Sequence, residues 1–389
     1  MNVISLQKSH YREAIALSEY AFQYKVPEEE IEKRLRNLEK HKLFGVLEND
    51  SVAAKLHLLS LEVFMGEKAL KMGGIAGVAT YPEHRRKGHV NELLSHSLQF
   101  MKDNGHSISM LHPFSVPFYR KYGWELFANR LKVTLKKADL VMKEQVTGIV
   151  NRFDEESHPE AIERVYNQFA KPFNGMLARD KDWWTNAIYG GSKGAVYFNK
   201  ESNATGYMIY EIKDRKMTIA EFVVVDNEAR SGLWNFICQH DSMLQEVEMT
   251  TYENDPLMFS LKEPRVKMEV VPYFMIRIVD ISSFFQQYDF QWENVEDEIV
   301  LHITDSFAEW NNQSVLLKDG KITVLNNENN SDSKQKGIHM DINALAAAML
   351  SYMRPIALQE IGRVSGSSEE IQKLESLLPK RHPFFYDFF

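Results

Sequence analysis

The stretch from Gly73 to Gln99, GGIAGVATYPEHRRKGHVNELLSHSLQ, constrains this chain more than any other. It predicts a buried strand over 74–80, a tight connection through Tyr81, Pro82, Glu83 and His84, and then a basic glycine turn. That turn, Arg85-Arg86-Lys87-Gly88-His89-Val90, opens an amphipathic helix. A strand feeding a glycine turn at a helix N-terminus is a cradle for a pyrophosphate. The amides of the first helical turn lack intrahelical acceptors, and the helix dipole favours negative charge there. Gly88 lets the backbone approach closely, while Arg85, Arg86 and Lys87 add countercharge. The spacing is neither G-x-x-x-x-G-K-[ST] nor G-x-G-x-x-G. Its form is R-x-x-G-x followed by a small or apolar residue.

A chain of 389 residues exceeds one ordinary core, so two or three domains are expected. The net charge of −8 argues against a nucleic-acid partner and agrees with a cationic small molecule. No apolar run reaches the ~18 residues of a membrane span, and MNVISLQKSHYREA lacks a signal-type apolar core, so a cytoplasmic protein without membrane contact is expected. A single cysteine, Cys238, excludes an intrachain disulfide and a cysteine-rich zinc site; in LWNFICQH it reads as a buried, inert thiol.

Three segments follow from pattern. Residues 1–145 give a helix in YREAIALSEYAFQY, a charged helix, a hairpin about Asn49-Asp50-Ser51, the strand–turn–helix motif, the strand SISMLHPF and the turn FYRKYGW. Residues 146–285 repeat part of that order. A helix starts directly after FVVVD, but Arg230-Ser231-Gly232 lacks the R-x-x-G spacing and the basic run, so this copy is expected to bind no cofactor. Residues 286–389 read as strands, an exposed polar tract NNENNSDSKQKG, and helices, an α+β unit. They end in Phe384-Phe385-Tyr386-Asp387-Phe388-Phe389, aromatic enough to be packed into the body of the protein.

The R-x-x-G turn resembles the coenzyme A loop of GCN5-related N-acetyltransferases (GNAT). G-V-A-T-Y-P-E-H-R-R-K-G, then F-Y-R-K-Y-G-W about 30 residues later, with the chain length and the aromatic end, resemble the enhanced intracellular survival (Eis) family of bacterial acetyltransferases. The resemblance spans the chain and implies an α+β (mixed α/β) protein. It has two tandem GNAT domains, the second degenerate, and a sterol-carrier-protein-like C-terminal domain. It implies acetyl-CoA as co-substrate, held by the backbone of Val78, Ala79 and Thr80 and by Arg85, Arg86, Lys87, Gly88, His89, Val90 and Asn91. Phe114 and Ser115 are implied at the thioester. Tyr119 matches the family's general acid. The family's base, the C-terminal carboxylate, falls on Phe389. Val90 stands where many relatives have Gly or Ala, so a slightly wider loop is expected. The acceptor implied is an amine of a cationic small molecule, aminoglycoside-like or polyamine-like, or a protein lysine. The assembly implied is a homo-hexamer.

Chemistry agrees with those roles. An amine attacks a thioester directly, so the protein needs to hold both partners, polarise the carbonyl, accept the amine proton and protonate the leaving thiolate. The resemblance implies that the helix after the fifth strand, which Tyr119 is expected to start, passes beside the thioester sulfur, placing this phenol for the last task. Tyr122 is expected to pack against the floor of the domain. An α-carboxylate, with an unperturbed pKa of about 3.5, is ionised at neutral pH and can take a proton. His84 and His89 flank the basic turn without metal-like spacing or a carboxylate partner in the sequence, so no metal is expected. The competing readings are a lipid carrier with a vestigial first domain and a non-catalytic acetyl-CoA sensor.

Overall fold

The computed structural model describes residues 2–294, 297–325 and 336–389; Asn326 to Gln335 of the expected polar tract lie outside them. The first unit builds β1 (Val3–Ser5), α1 (Tyr11–Phe22), α2 (Glu28–Leu38), β2 (Lys42–Glu48), β3 (Ser51–Met65), β4 (Lys68–Thr80), α3 (His89–Asp103), β5 (Ile108–Leu111), α4 (Val116–Arg120) and β6 (Glu125–Lys136). Asn49 and Asp50 turn β2 into β3 with φ of 51° and 63°, left-handed values these side chains tolerate. On one face of the sheet, Leu93, Leu94, Leu98 and Met101 of α3 pack on Leu56, Leu58 and Ile75. Removing one of these side chains, as in Leu98→Ala, would cost about 2–5 kcal/mol. Odd positions of β3 turn to the other face, where Lys55 reaches Ser18 of α1.

The second unit contributes β7 (Ile149–Phe153), α5 (Ala161–Ala170), β8 (Phe173–Leu177), α6 (Lys181–Ala187), β9 (Lys193–Phe198), β10 (Ala204–Lys213), β11 (Lys216–Val224), α7 (Asn227–Cys238), β12 (Glu246–Thr251) and β13 (Lys267–Ile278). Its last strand does not stay with it. β13 inserts between β5 and β6 of the first unit and pairs antiparallel with both. The two units therefore share one continuous sheet, ordered β1-β2-β3-β4-β5-β13-β6-β12-β11-β10-β9-β7. The expected boundary at residue 145 falls between β6 and β7, and a strand from beyond it, β13, completes the sheet of the first unit. Cys238 is buried in the second unit, and burial pushes its thiol up to about 11.

The C-terminal unit has its own sheet of β14 (Ile299–Thr304), β15 (Gln313–Lys318), β16 (Lys321–Leu325), β17 (Ile338–Asp341) and β18 (Val364–Ser365), in the order β16-β15-β14-β17-β18. The helix Ile342–Met349 is buried along its whole length, and its core is continuous with β6 and β13. The chain then returns to the first two units. β19 (His382–Pro383) pairs parallel with β8, and β8 pairs with β3.

Candidate active site

β4 and β5 run parallel in register from Met72–Ile108 to Ile75–Leu111, and there β5 stops while β4 continues to Thr80. Beyond Ile75 the strands part, leaving the β5-facing backbone edge of residues 76–80 without a strand partner. The edge is shaped by a bulge: on β4, Ala76 to Ala79 spans three steps where β3 spans two, His57 to Lys55. Gly77 lies in that bulge with φ +54°. Val78 and Thr80 are half-buried at the edge, Ala79 is buried, and the Thr80 hydroxyl is enclosed with no hydrogen-bond partner. Such an edge offers amide and carbonyl groups to an extended, amide-bearing arm.

The basic turn closes one end of this cleft. Arg86 and Gly88 both take left-handed φ, 63° and 86°. Gly88 is the N-cap of α3 without a side-chain cap, and a Cβ there would meet nothing within 4 Å. The mouth of the helix is therefore open to an anion. Arg85 curls back so that its Nε donates to the Thr80 carbonyl at 3.4 Å. Arg86 and Asn91 are exposed at the turn. Two expected contacts differ in detail. The His89 imidazole is 1% exposed and faces Glu48 at 3.3 Å, so only the backbone of His89 is turned to the mouth. Burial also lowers its pKa, because the charged imidazolium is poorly solvated there. The Val90 side chain, in the first turn of α3, is half-buried and packs against the core of the first unit.

The other wall of the cleft is the segment after β5. Phe114 is 73% exposed, and Ser115 is the N-cap of α4. Tyr119 lies at the fourth of the five residues of α4, not at its start, and its ring is buried between Phe114, Phe118 and Trp124. Its hydroxyl makes no hydrogen bond to a described residue and is not sealed from solvent. Burial raises its pKa well above that of a free phenol, with Tyr122 adding to the effect. The phenol thus stays protonated at neutral pH and suits a proton donor. Tyr122 packs against the core of the first domain beside Phe118, as expected, and also on Phe307 of the C-terminal unit at 4.8 Å.

The aromatic tail reaches the same place from the opposite face. Two adjacent glycines of β4 make this possible. A Cβ at Gly73 would strike Met101 of α3, and one at Gly74 would lie 2.8 Å from the Phe389 ring. Phe389 thus sits over β4 one residue before the strands part. Phe384, Phe385, Tyr386 and Asp387 are buried, as the composition predicts, whereas Phe388 is exposed beside His112. Polar groups absent from the sequence argument hold the tail. Arg130 donates to the carbonyls of Phe385, Tyr386 and Asp387, and Tyr273 donates to the Asp387 carbonyl at 2.9 Å. The Asp387 carboxylate accepts from Arg179 Nε at 2.9 Å and Trp183 Nε1 at 2.7 Å, and Arg179 also pairs with Glu221. Nothing in the local sequence around Arg130 or Arg179 signals this role, since their partners lie more than 200 residues away in the chain.

The second unit repeats the architecture with its cradle closed. β11 and β12 pair in parallel through Ile219–Met249, and β11 then continues to Val224 paired with β10 but no longer with β12. Here the tail fills the gap: the Tyr386 hydroxyl bonds both the amide and the carbonyl of Phe222. The helix mouth is also taken, because the Asp226 carboxylate caps α7 through the Ala229 amide at 2.7 Å. An anionic ligand would meet a carboxylate where α3 offers Gly88.

Family models match in the same three parts: an acetyltransferase (GNAT) domain over 2–127, a second over 175–278 and a sterol carrier protein domain over 281–386. The N-acetyltransferase Eis of Mycobacterium tuberculosis is 23% identical over 255 residues, covering 62% of this chain and 63% of that protein. The chain carries two GNAT domains and a sterol carrier protein domain and is similar to the Eis-type N-acetyltransferases. The alignment thus spans under two thirds of that relative's length. An uncharacterized N-acetyltransferase of Streptomyces griseus is 21% identical, covering 62% of this chain and 64% of the relative. Among solved structures, a conserved Enterococcus faecalis protein titled a probable N-acyltransferase superposes with TM-score 0.92 at 26% identity, covering 100% of this chain and 99% of that one. Eis1 of Mycobacterium abscessus shares the fold, with TM-score 0.82 at 18% identity over the full length of both chains. This Eis-like chain thus carries two GNAT domains of the same order, with the open helix mouth on the first and the capped one on the second.

Proposed function

We propose that this chain is an acetyl-CoA-dependent N-acetyltransferase that works at the first domain and acts on a primary amine of a small molecule. The observation that carries the reading is the parting of β4 and β5 beside the open, glycine-capped N-terminus of α3. The residues suit acetyl-CoA as substrate. The pantetheine arm would lie along the backbone of Val78, Ala79 and Thr80, with the enclosed Thr80 hydroxyl as a further partner. The pyrophosphate would meet the turn from Arg85 through Lys87 and Gly88 to Asn91, with Val90 and His89 contributing backbone. Phe114 and Ser115 would border the thioester.

In the reaction the amine nitrogen forms a bond to the acetyl carbon and the carbon–sulfur bond breaks. The Tyr119 hydroxyl gives its proton to the departing thiolate. The α-carboxylate proposed at Phe389 takes the proton the amine loses, and the position of the Phe389 ring on Gly74 supports that assignment. The acceptor class proposed is a cationic amine, aminoglycoside-like or polyamine-like, with protein lysine as the alternative; the net charge of −8 supports it. A cytoplasmic enzyme, where acetyl-CoA is held, and a homo-hexamer complete the proposal. Among the described residues no helix is long and apolar enough to cross a membrane.

The test is thiol release from acetyl-CoA across aminoglycosides, polyamines and lysine peptides. Tyr119→Phe and a short C-terminal extension should each lower kcat by about 10²–10⁴-fold while acetyl-CoA still binds. Full turnover in both variants would remove Tyr119 and Phe389 from the mechanism. No thiol release with any amine would overturn the activity.

A further inference from the structure

The basic turn has a second chemistry at its back. Among the described residues, Glu48, His84 and His89 form the one group of three possible metal ligands, with all ligand atoms within 4.8 Å of one another. They come from three elements: the end of β2, the short 3-10 turn Pro82–His84, and the first residue of α3. The sequence hid the set, because Glu48 lies far from the histidines in the chain and comes beside them only when β2 pairs with β3 and β4 follows. The expectation that the pair lacks a carboxylate partner therefore does not hold.

We propose that Glu48, His84 and His89 bind a divalent transition metal of the zinc type, clamping the basic turn at both ends. Two imidazole nitrogens and one carboxylate oxygen are a donor set that such borderline ions take up, and three protein ligands leave a fourth position for a water oxygen. In a tetrahedral site with bonds of about 2.0–2.2 Å, ligand atoms lie roughly 3.3–3.5 Å apart. His89 Nε2 and Glu48 Oε1 are already at 3.3 Å, and the His89 ring is fixed by burial. His84 is half-exposed on its short turn and closes the remaining gap by rotating its ring.

A cation already occupies this spot. The Lys87 ammonium stands 3.7 Å from Glu48 Oε1 and 3.3 Å from His84 Nδ1. It faces the same carboxylate and imidazole that would bind the metal, so the ammonium and the metal compete for one place. Metal entry displaces Lys87 towards the solvent side of the turn, where it is 44% exposed at present.

The test titrates the full-length protein with Zn2+ in competition with a chromophoric chelator, and with Co2+ followed by its visible absorption. One ion per chain is expected, with the intense visible bands of a four-coordinate Co2+ site. His84→Gln and Glu48→Gln, both outside the hydrophobic core, should each weaken binding by about tenfold or more. Lys87→Gln should bind at least as tightly as the parent, because a competing ammonium is gone. The proposal is overturned if neither metal saturates a site by about 1 mM, if His84→Gln and Glu48→Gln bind like the parent, or if Lys87→Gln binds more weakly. None of these readouts depends on acetyl transfer.

Discussion

Lys55 is a lysine with no exposed surface, on the α1-facing side of β3. Its Nζ donates to Ser18 Oγ at 2.7 Å and lies 2.8 Å from His57 Nε2, with no carboxylate of a described residue within ion-pair distance. Burial, with the Arg34 charge adding, pushes its pKa down to about 7 from 10.5. Between those values the unfolded chain carries a proton that the folded protein lacks, so stability rises with pH from about 7 to 10.5. Below pH 7 the penalty is full, of order 3–5 kcal/mol by the size of the shift. His41 acts in the same sense lower down, its pKa lowered to about 4 by burial and by the Arg34 and Lys40 charges. Lys55→Met should therefore raise the chemical-denaturation stability at pH 6 by about 2 kcal/mol or more and flatten its rise between pH 7 and 10. Equal stabilities at pH 6 would mean that the Lys55 ammonium is solvated in the native protein and suffers no burial penalty. No local pattern marks this site, since Lys55 reads as one polar residue in an alternating strand; only the closure of α1 over β3 takes it out of water.

Two helices with the same place in the two domains show what a cap decides. α3 starts at Gly88 with an open mouth, and α7 starts at Asp226 with its mouth closed by a carboxylate. This contrast was legible only in part. The basic R-x-x-G turn stands directly before α3, whereas Arg230-Ser231-Gly232, read as its degenerate copy, lies inside α7, and the cap that closes that helix is Asp226. The tail was legible only in part. Five aromatic residues announced a packed end, but Arg130, Arg179 and Tyr273, which hold it, are ordinary residues until folding brings them together. Asp226→Ala removes the α7 cap and should lower stability by about 1 kcal/mol in a denaturant titration. It should leave the number of acetyl-CoA molecules bound at one per chain, because Tyr386 still fills the gap beside Phe222. Gain of a second binding event would show that the carboxylate alone keeps the second domain empty.

The whole molecule is bound together by elements that cross between units. β13 completes the sheet of the first unit from beyond the second, and the tail runs from the third back to β8, β11 and β4. Family patterns conveyed three segments, but local periodicity cannot show which sheet a strand joins, and β13, within the second expected segment, pairs with strands of the first. The physical cost of cutting there is large. A fragment of residues 1–145 would expose the edges of β5 and β6 along the whole groove that β13 fills. Such a fragment should be unfolded or aggregated by circular dichroism and gel filtration, while the full chain melts in one cooperative step. A soluble, folded fragment would mean that the first unit closes its sheet without β13.

Calorimetric titration of acetyl-CoA into the full chain, repeated with Gly88→Val, bears most directly on the cradle at α3. Gly88 has φ +86°, a conformation valine rarely adopts, and its Cβ position lies in the open mouth. One acetyl-CoA per chain is expected, with affinity at least about tenfold lower in Gly88→Val while circular dichroism stays unchanged. Two sites per chain, or a single site whose affinity Gly88→Val leaves intact, would contradict the assignment of acetyl-CoA to the open mouth of the first domain.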